Sequence, residues 1–231
     1  MLNDLRASGI SVAAIHYRFV TKDPFPAPMH DGARAVQFLR AKAGDFNIDP
    51  KRIACFGNSA GAGMSLWLAF HDDLAKPDSK DPVERHSTRL ACAGSSGGQT
   101  TYNPRQIMEW MAVATLDPHP SLYPFYGIFA EEELEQPEKQ KLVYDASPIS
   151  HVNAGDPPVY LSYTQKNEPV TEVTPPNQYI HHPIFGVKLK DVMDAKKLEC
   201  ILKVGVPKQT ANRGLFEFLC KHLGAQPKKA E

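Results

Sequence analysis

Apolar residues in this chain come in short, largely unbroken blocks, separated by longer stretches in which they recur every three or four positions. The blocks at 10–15, 53–56, 90–93, Val159–Tyr163 and 199–204 read as buried strands. Between them the spacing predicts helices. Residues 3–8 form the last turns of a helix that Gly9 stops, and 31–43 place Ala33, Val36, Leu39 and Ala43 on one face. Met64, Leu66, Trp67, Leu68 and Phe70 mark a helix after the second block. Phe185, Leu189, Val192 and Met193 mark another over 183–197. A closing helix spans 215–223, and 226–231 form a frayed tail. Strand and helix alternate along the chain, which predicts an α/β fold: a mostly parallel sheet flanked by helices.

The chemistry concentrates where the second block meets its helix. Gly57-Asn58-Ser59-Ala60-Gly61 matches G-x-S-x-G between a strand and a helix, the setting of a nucleophile elbow. Ser59 is the candidate nucleophile. The tight turn needs small residues two before and two after the serine, which Gly57 and Gly61 provide, while Ala60 and Gly63 keep the helix start narrow. The hydroxyl then stands at a helix N-terminus, where a developing oxyanion is favoured and the Ala60 N–H is a candidate donor.

Composition narrows the classes. With 231 residues and 42% hydrophobic positions, the chain suits one large α/β domain spanning 1–231. Within it, the proline- and aromatic-rich stretch 101–141 forms either a lid or wall over the site or packing for the sheet's end. Lys+Arg 26 balances Asp+Glu 26, which argues against a nucleic-acid partner. No stretch reaches the apolar length of a bilayer span, and 1–6 show no basic region leading into an apolar run, so a cytoplasmic location is expected. The four cysteines form no C-x-x-C pair and read as buried thiols. No cofactor or metal motif is visible: His71, Asp72 and Asp73 adjoin without the i, i+4 spacing that sets two ligands on one helix face.

Taken in order, these pieces resemble the α/β-hydrolase superfamily, in its esterase/lipase branch related to hormone-sensitive lipase. The resemblance rests on 12–18 with Phe25-Pro26-Ala27-Pro28 and Asp31, on the 57–61 elbow, on Ala146-Ser147-Pro148-Ile149 with Asp156-Pro157-Pro158, and on the strand–helix ending. It implies a three-layer sheet fold and a serine esterase that takes small-molecule carboxylic esters. In that chemistry Ser59 attacks the ester carbonyl, forms an acyl-enzyme and is released by water under a histidine base.

The chain departs from the pattern at three points. The family's first strands and HGGG-type segment have no counterpart here. The acid position aligns with Asn167, which carries no charge, leaving the neighbouring Glu168 as its substitute. The loop after the last strand, taken as 205–214, holds no histidine. His181 and His182, after the fourth strand, are the candidates for the base by topology; the other reading of them is a helix-entry pair bonded to backbone. These departures imply a weakened esterase, or, as the alternative, a catalytically impaired hydrolase-like protein that serves as a binding or scaffold module. Without the family's intervening strand, blocks 10–15 and 53–56 are expected to pair directly in a compacted five-strand sheet, or a homo-oligomer fills the gap.

Overall fold

The computed structural model describes residues 1–228. Four parallel strands form one sheet in the order β1-β2-β3-β4: β1 Ala54–Asn58, β2 Cys92–Ser96, β3 Val159–Tyr163 and β4 Cys200–Val204. The register runs Asn58↔Ser96, Ser96↔Ser162 and Ser162↔Lys203, so these strands end together at one edge. Burial follows position. All five residues of β3 are buried and β2 is nearly so, whereas β1 and β4 are only partly covered. Such near-continuous burial is what a parallel sheet covered on both faces requires.

Helices cover both faces. On one, α1 (Leu2–Ala7) and α9 (Lys208–His222) pack Leu5, Leu215, Phe218 and Leu219 against Cys92 and Tyr160. On the other lie α2 (Ala27–Ala41), α3 (Ala60–Phe70) and, further along the chain, α8 (Ile184–Ala195). Residues 62–70 of α3 are buried without a break, so this helix is apolar all round, as a central helix must be. Stretch 101–141 carries α4 (Pro104–Met111), α5 (Leu122–Tyr126) and the start of α6 (Pro137–Ala146), and α7 (Pro176–Tyr179) precedes α8. Among the described residues no helix is long and apolar enough to cross a membrane.

Several elements differ from the sequence expectation. The block 10–15 belongs to no strand and its residues 11–15 are exposed, with Val12 at 37% and Ile15 at 41%. It does not pair with β1, so the sheet has four strands rather than five, and β1 is an edge. An apolar run becomes a strand only where a ladder partner exists, and none is adjacent here. The closing helix begins at Lys208, not 215, which shortens the loop after β4 to 205–207. Gly214 lies inside this helix as a close contact: a Cβ there would lie 2.2 Å from Tyr160 Oη. Helix α2 starts earlier as well, because Ala27-Pro28 open its first turn, where proline costs no hydrogen bond. Of the tail, 229–231 lie outside the described residues. Lys228 is tied down, its N–H donating to Ser8 Oγ at 2.8 Å.

The exposed segment is anchored at its end by an ion pair that accounts for the Tyr-Arg and Asp pieces of the sequence pattern. Arg18 places Nε and Nη2 on the two oxygens of Asp31 at 2.8–3.2 Å, and its backbone N–H adds a bond of 2.8 Å to Oδ2. The Arg18 guanidinium holds the Asp31 carboxyl below its ordinary range. A carboxyl depressed in the folded state stabilises above its unfolded value near 4 and loses that contribution as pH falls through the folded value. The stability difference between wild type and Arg18→Ala, measured by urea unfolding, is therefore expected to be present at pH 6 and to shrink below pH ~4.

Candidate active site

The turn at Ser59 has the strained geometry that the motif requires. Ser59 lies at φ 53°, ψ −119°, a region a non-glycine residue occupies only when its surroundings impose it. They do so here through the backbone: the Ser59 N–H donates to Ser96 O at 3.0 Å, and Ser59 O accepts from Ala62 N and Gly63 N. Ser59 is half-buried and caps α3, while Ala60 is exposed. The Ala60 N–H is the first of the helix, has no intrahelical partner and takes part in no backbone bond. It is free to meet an oxyanion.

The flanking glycines play unequal parts. A Cβ on Gly57 would lie 2.4 Å from Gly61 C and 2.5 Å from its O, so the bend folds the chain onto itself at this point. A Cβ on Gly61 would meet nothing within 4 Å. The expectation that both flanks must be small therefore holds for Gly57 alone; at 61 it is the backbone that makes the approach. Gly63 accommodates a different neighbour, since its Cβ would fall 2.1 Å from Tyr102 Oη.

The two histidines after α7 part company. His182 is buried and both its ring nitrogens are engaged: Nδ1 accepts from the Ile184 N–H at 3.1 Å and Nε2–H donates to Glu168 O at 2.8 Å. This is the helix-entry arrangement, and it leaves His182 no nitrogen to act as base. His181 is half-buried, and its Nδ1–H donates to Gly97 O at 2.8 Å. That bond fixes the tautomer and leaves the Nε2 lone pair unused. Gly97 directly follows Ser96, whose carbonyl receives the Ser59 N–H, so Ser59 and His181 are attached to consecutive residues at the end of β2. Among the described residues, no side chain or backbone group hydrogen-bonds Ser59 Oγ.

Asn167 and Glu168 are both exposed, and what Glu168 contributes to a histidine is its backbone carbonyl, to His182. Among the described residues no carboxylate bonds His181. Of the candidate set, the fold thus gathers Ser59, Ala60, Gly57 and His181 at one edge and leaves the His182 ring and the side chains of Asn167 and Glu168 apart from them.

Beside this edge lies a cleft with about 630 Å³ of empty space, open to solvent. Its walls include Gln99, Tyr102, Ile107, Leu122 and Phe125, with Tyr179 and Ile180 next to His181. Tyr102 stacks on Phe125 at 4.8 Å while its hydroxyl sits over Gly63 in the first turn of α3. Glu131 is the one acid in the lining, and burial raises its carboxyl. Motif reasoning missed Gly97 and Tyr102. Gly97 sits in a plain Gly-Ser-Ser-Gly-Gly run, and nothing in a lone tyrosine announces a wall.

Comparison with known proteins fits this geometry. The BD-FAE family profile matches residues 1–174. The chain is 26% identical over 161 residues, 70% of its length, to the probable carboxylic ester hydrolase LipM of Mycobacterium tuberculosis, covering 35% of that protein. It is 32% identical over 108 residues, 44% of its length, to an acetyl-hydrolase of Streptomyces hygroscopicus, covering 33% of it. The chain thus spans about a third of these curated relatives. Among solved structures, an acetyl ester-xyloside bifunctional hydrolase from Caldicellulosiruptor lactoaceticus superposes with a TM-score of 0.72 at 20% identity, over 96% of this chain and 75% of that one. The parallel sheet, the elbow at Ser59 and the matched profile agree, and the chain belongs to the BD-FAE family of α/β-hydrolase esterases and lipases.

Proposed function

We propose that this protein hydrolyses carboxylic esters with short acyl groups through an acyl-enzyme on Ser59. The observation that carries the reading is the strained Ser59 elbow, with His181 held through Gly97 on the neighbouring loop. His181 Nε2 takes the proton as Ser59 Oγ attacks the carbonyl. The Ala60 N–H receives the oxyanion at the positive end of α3. His181 then protonates the departing alkoxide, and water, activated by the same nitrogen, releases the acid. Contact between Oγ and Nε2 is made on substrate binding, by rotation about the serine χ1 or through one water, since such bonds tighten in the reacting complex. The cleft beside His181 receives the acyl or alcohol portion, and stretch 101–141 acts as its wall. The names of the similar acetyl-hydrolase and acetyl ester hydrolase support a short acyl group.

Two observations favour a second reading, a hydrolase-like binding or scaffold module. Ser59 Oγ is unbonded, and His181 is oriented by a carbonyl instead of a carboxylate, so an imidazolium there gains a dipole's stabilisation and not a full charge. A matched pair of variants separates the readings. In a p-nitrophenyl acetate assay, His181→Ala is expected to lower kcat by about 10²–10⁴-fold. His182→Ala is expected to keep kcat within a few-fold while lowering stability, because it strands the Ile184 N–H and the Glu168 carbonyl. A wild-type rate no greater than that of His181→Ala supports the scaffold reading.

A further inference from the structure

At the far end of α3 from the serine, three side chains from distant parts of the sequence converge. His71 follows the last residue of α3, Asp145 lies in the last turn of α6, and His151 ends the short 3-10 turn Pro148–His151. His71 Nε2 is 3.1 Å from Asp145 Oδ1, and His151 Nε2 is 3.7 Å from the same oxygen. One ligand atom from each residue falls within 4.8 Å of the others. Ligands of a tetrahedral zinc ion at 2.0–2.1 Å stand about 3.3 Å apart, so the two edges that meet at Asp145, 3.1 and 3.7 Å, match such a site, and the third lies within 4.8 Å.

The hydrogen bonding makes the cluster more than a crowd of polar groups. His71 Nδ1 lies 3.0 Å from Asp72 O. A carbonyl only accepts, so Nδ1 carries a proton and Nε2 is the atom aimed at Asp145. An ionised carboxylate oxygen also only accepts. Nε2 and Oδ1 at 3.1 Å share a cation, either a second proton on Nε2 or a metal ion seated beside both atoms. A backbone carbonyl fixing one ring nitrogen so that the other is free is also how a ligating histidine is usually oriented. The surroundings are built as well: the Trp67 Nε1–H donates to Asp145 O at 2.7 Å, His151 Nε2 lies 2.9 Å from that same carbonyl, and the rings of His71 and His151 pack at 4.8 Å. The side chains of His71 and His151 are largely covered, at 17% and 14% exposure, and that of Asp145 is at 40%, which leaves one side open to water.

We propose that His71, Asp145 and His151 bind a zinc ion, with water completing the coordination. Two imidazoles and a carboxylate are a donor set suited to zinc and unsuited to calcium or magnesium, which take oxygen ligands. On binding, the His151 proton moves to Nδ1 and its Nε2 turns from Asp145 O to the metal, while Trp67 keeps that carbonyl satisfied. The eleven residues of α3 put the ion about 16 Å from Ser59 along the helix. The ion is therefore structural: it pins the C-terminal end of the helix that carries the nucleophile, and it does not depend on the proposed ester chemistry.

The test measures metal and not activity. Metal-free protein is titrated with zinc by calorimetry and with cobalt(II) by visible absorption, and its melting temperature is read with zinc and with chelator. The expected result is stoichiometric zinc binding, the strong d–d bands of a low-symmetry cobalt site, and a melting temperature that rises with zinc. Asp145→Asn and His151→Ala are each expected to weaken zinc by at least ~10-fold, whereas the control His16→Ala, at an exposed position elsewhere, leaves it unchanged. If wild type shows no binding and no zinc-dependent shift, His71 and Asp145 form an ordinary proton-mediated ion pair and the proposal is overturned. Binding that both ligand variants retain in full overturns it equally.

Discussion

Ser59→Ala is expected to lower kcat/KM for p-nitrophenyl acetate by roughly 10³- to 10⁶-fold, with the melting temperature nearly unchanged. The upper end is what removing a nucleophile costs in a complete triad. The lower end applies here because the proposed base, His181, is oriented by the Gly97 carbonyl and, among the described residues, bonds no carboxylate, so the proposed machinery starts from a smaller advantage. Stability is spared because the hydroxyl makes no hydrogen bond that alanine would lose and the residue is only half-buried. The backbone at φ 53° is as demanding for alanine as for serine, and the bonds that impose it, to Ser96 O and from Ala62 N and Gly63 N, belong to the main chain. A residual rate in Ser59→Ala equal to wild type would mean that the hydrolysis arises elsewhere on the chain.

The largest effect on stability is expected at Trp67. Its side chain is fully buried on α3, edge-to-face with Phe25 at 6.4 Å and tilted against the His71 ring at 4.1 Å. Its indole N–H is one of the bonds that position Asp145. Trp67→Ala removes this volume from a core that cannot collapse to fill it, and a cost of about 3–5 kcal/mol is expected. For a chain of this size that is a fall of roughly 6–20 °C in melting temperature. Trp67→Phe keeps most of the packing and loses the N–H bond, so its cost is expected to be about 1–3 kcal/mol. Thermal unfolding of both variants checks the order, and a shift in Trp67→Ala smaller than that in Trp67→Phe would contradict this account of the core.

Patterns local in sequence are the ones that read through to the structure. The elbow was legible because strand, Gly57, Ser59 and helix lie within one short stretch and the bend is a property of that stretch alone. The blocks at 53–56, 90–93, Val159–Tyr163 and 199–204 became β1 to β4, although β1 and β2 sit one to three residues further along than the apolar runs that predicted them. Block 10–15 reads the same way and is not a strand, because a strand is defined by its neighbour and no apolar count reports whether a neighbour is present. The closing helix was expected from 215 and begins at Lys208, because Gly214 lies inside it, where a missing side chain lets the helix approach Tyr160.

The site was legible only in part. The hydrogen bonds of adjacent His181 and His182 go to carbonyls far away along the chain, Gly97 and Glu168, that no motif links to them. Likewise His71 pairs not with its neighbours Asp72 and Asp73, whose spacing argued against a metal, but with Asp145 and His151, brought to it from α6 and the turn that follows. Helix spacing tests ligands on one element. It is silent about a cluster assembled from three.

Covalent trapping of the nucleophile addresses the central claim most directly. Wild-type protein and Ser59→Ala are incubated with a fluorophosphonate, which phosphonylates an activated serine, and digested peptides are mapped by mass spectrometry. A stoichiometric adduct on Ser59 in wild type, absent from the variant and formed much more slowly in His181→Ala, is the expected result. Rapid ester hydrolysis with Ser59 unmodified, or an adduct on another residue that persists in Ser59→Ala, would contradict it.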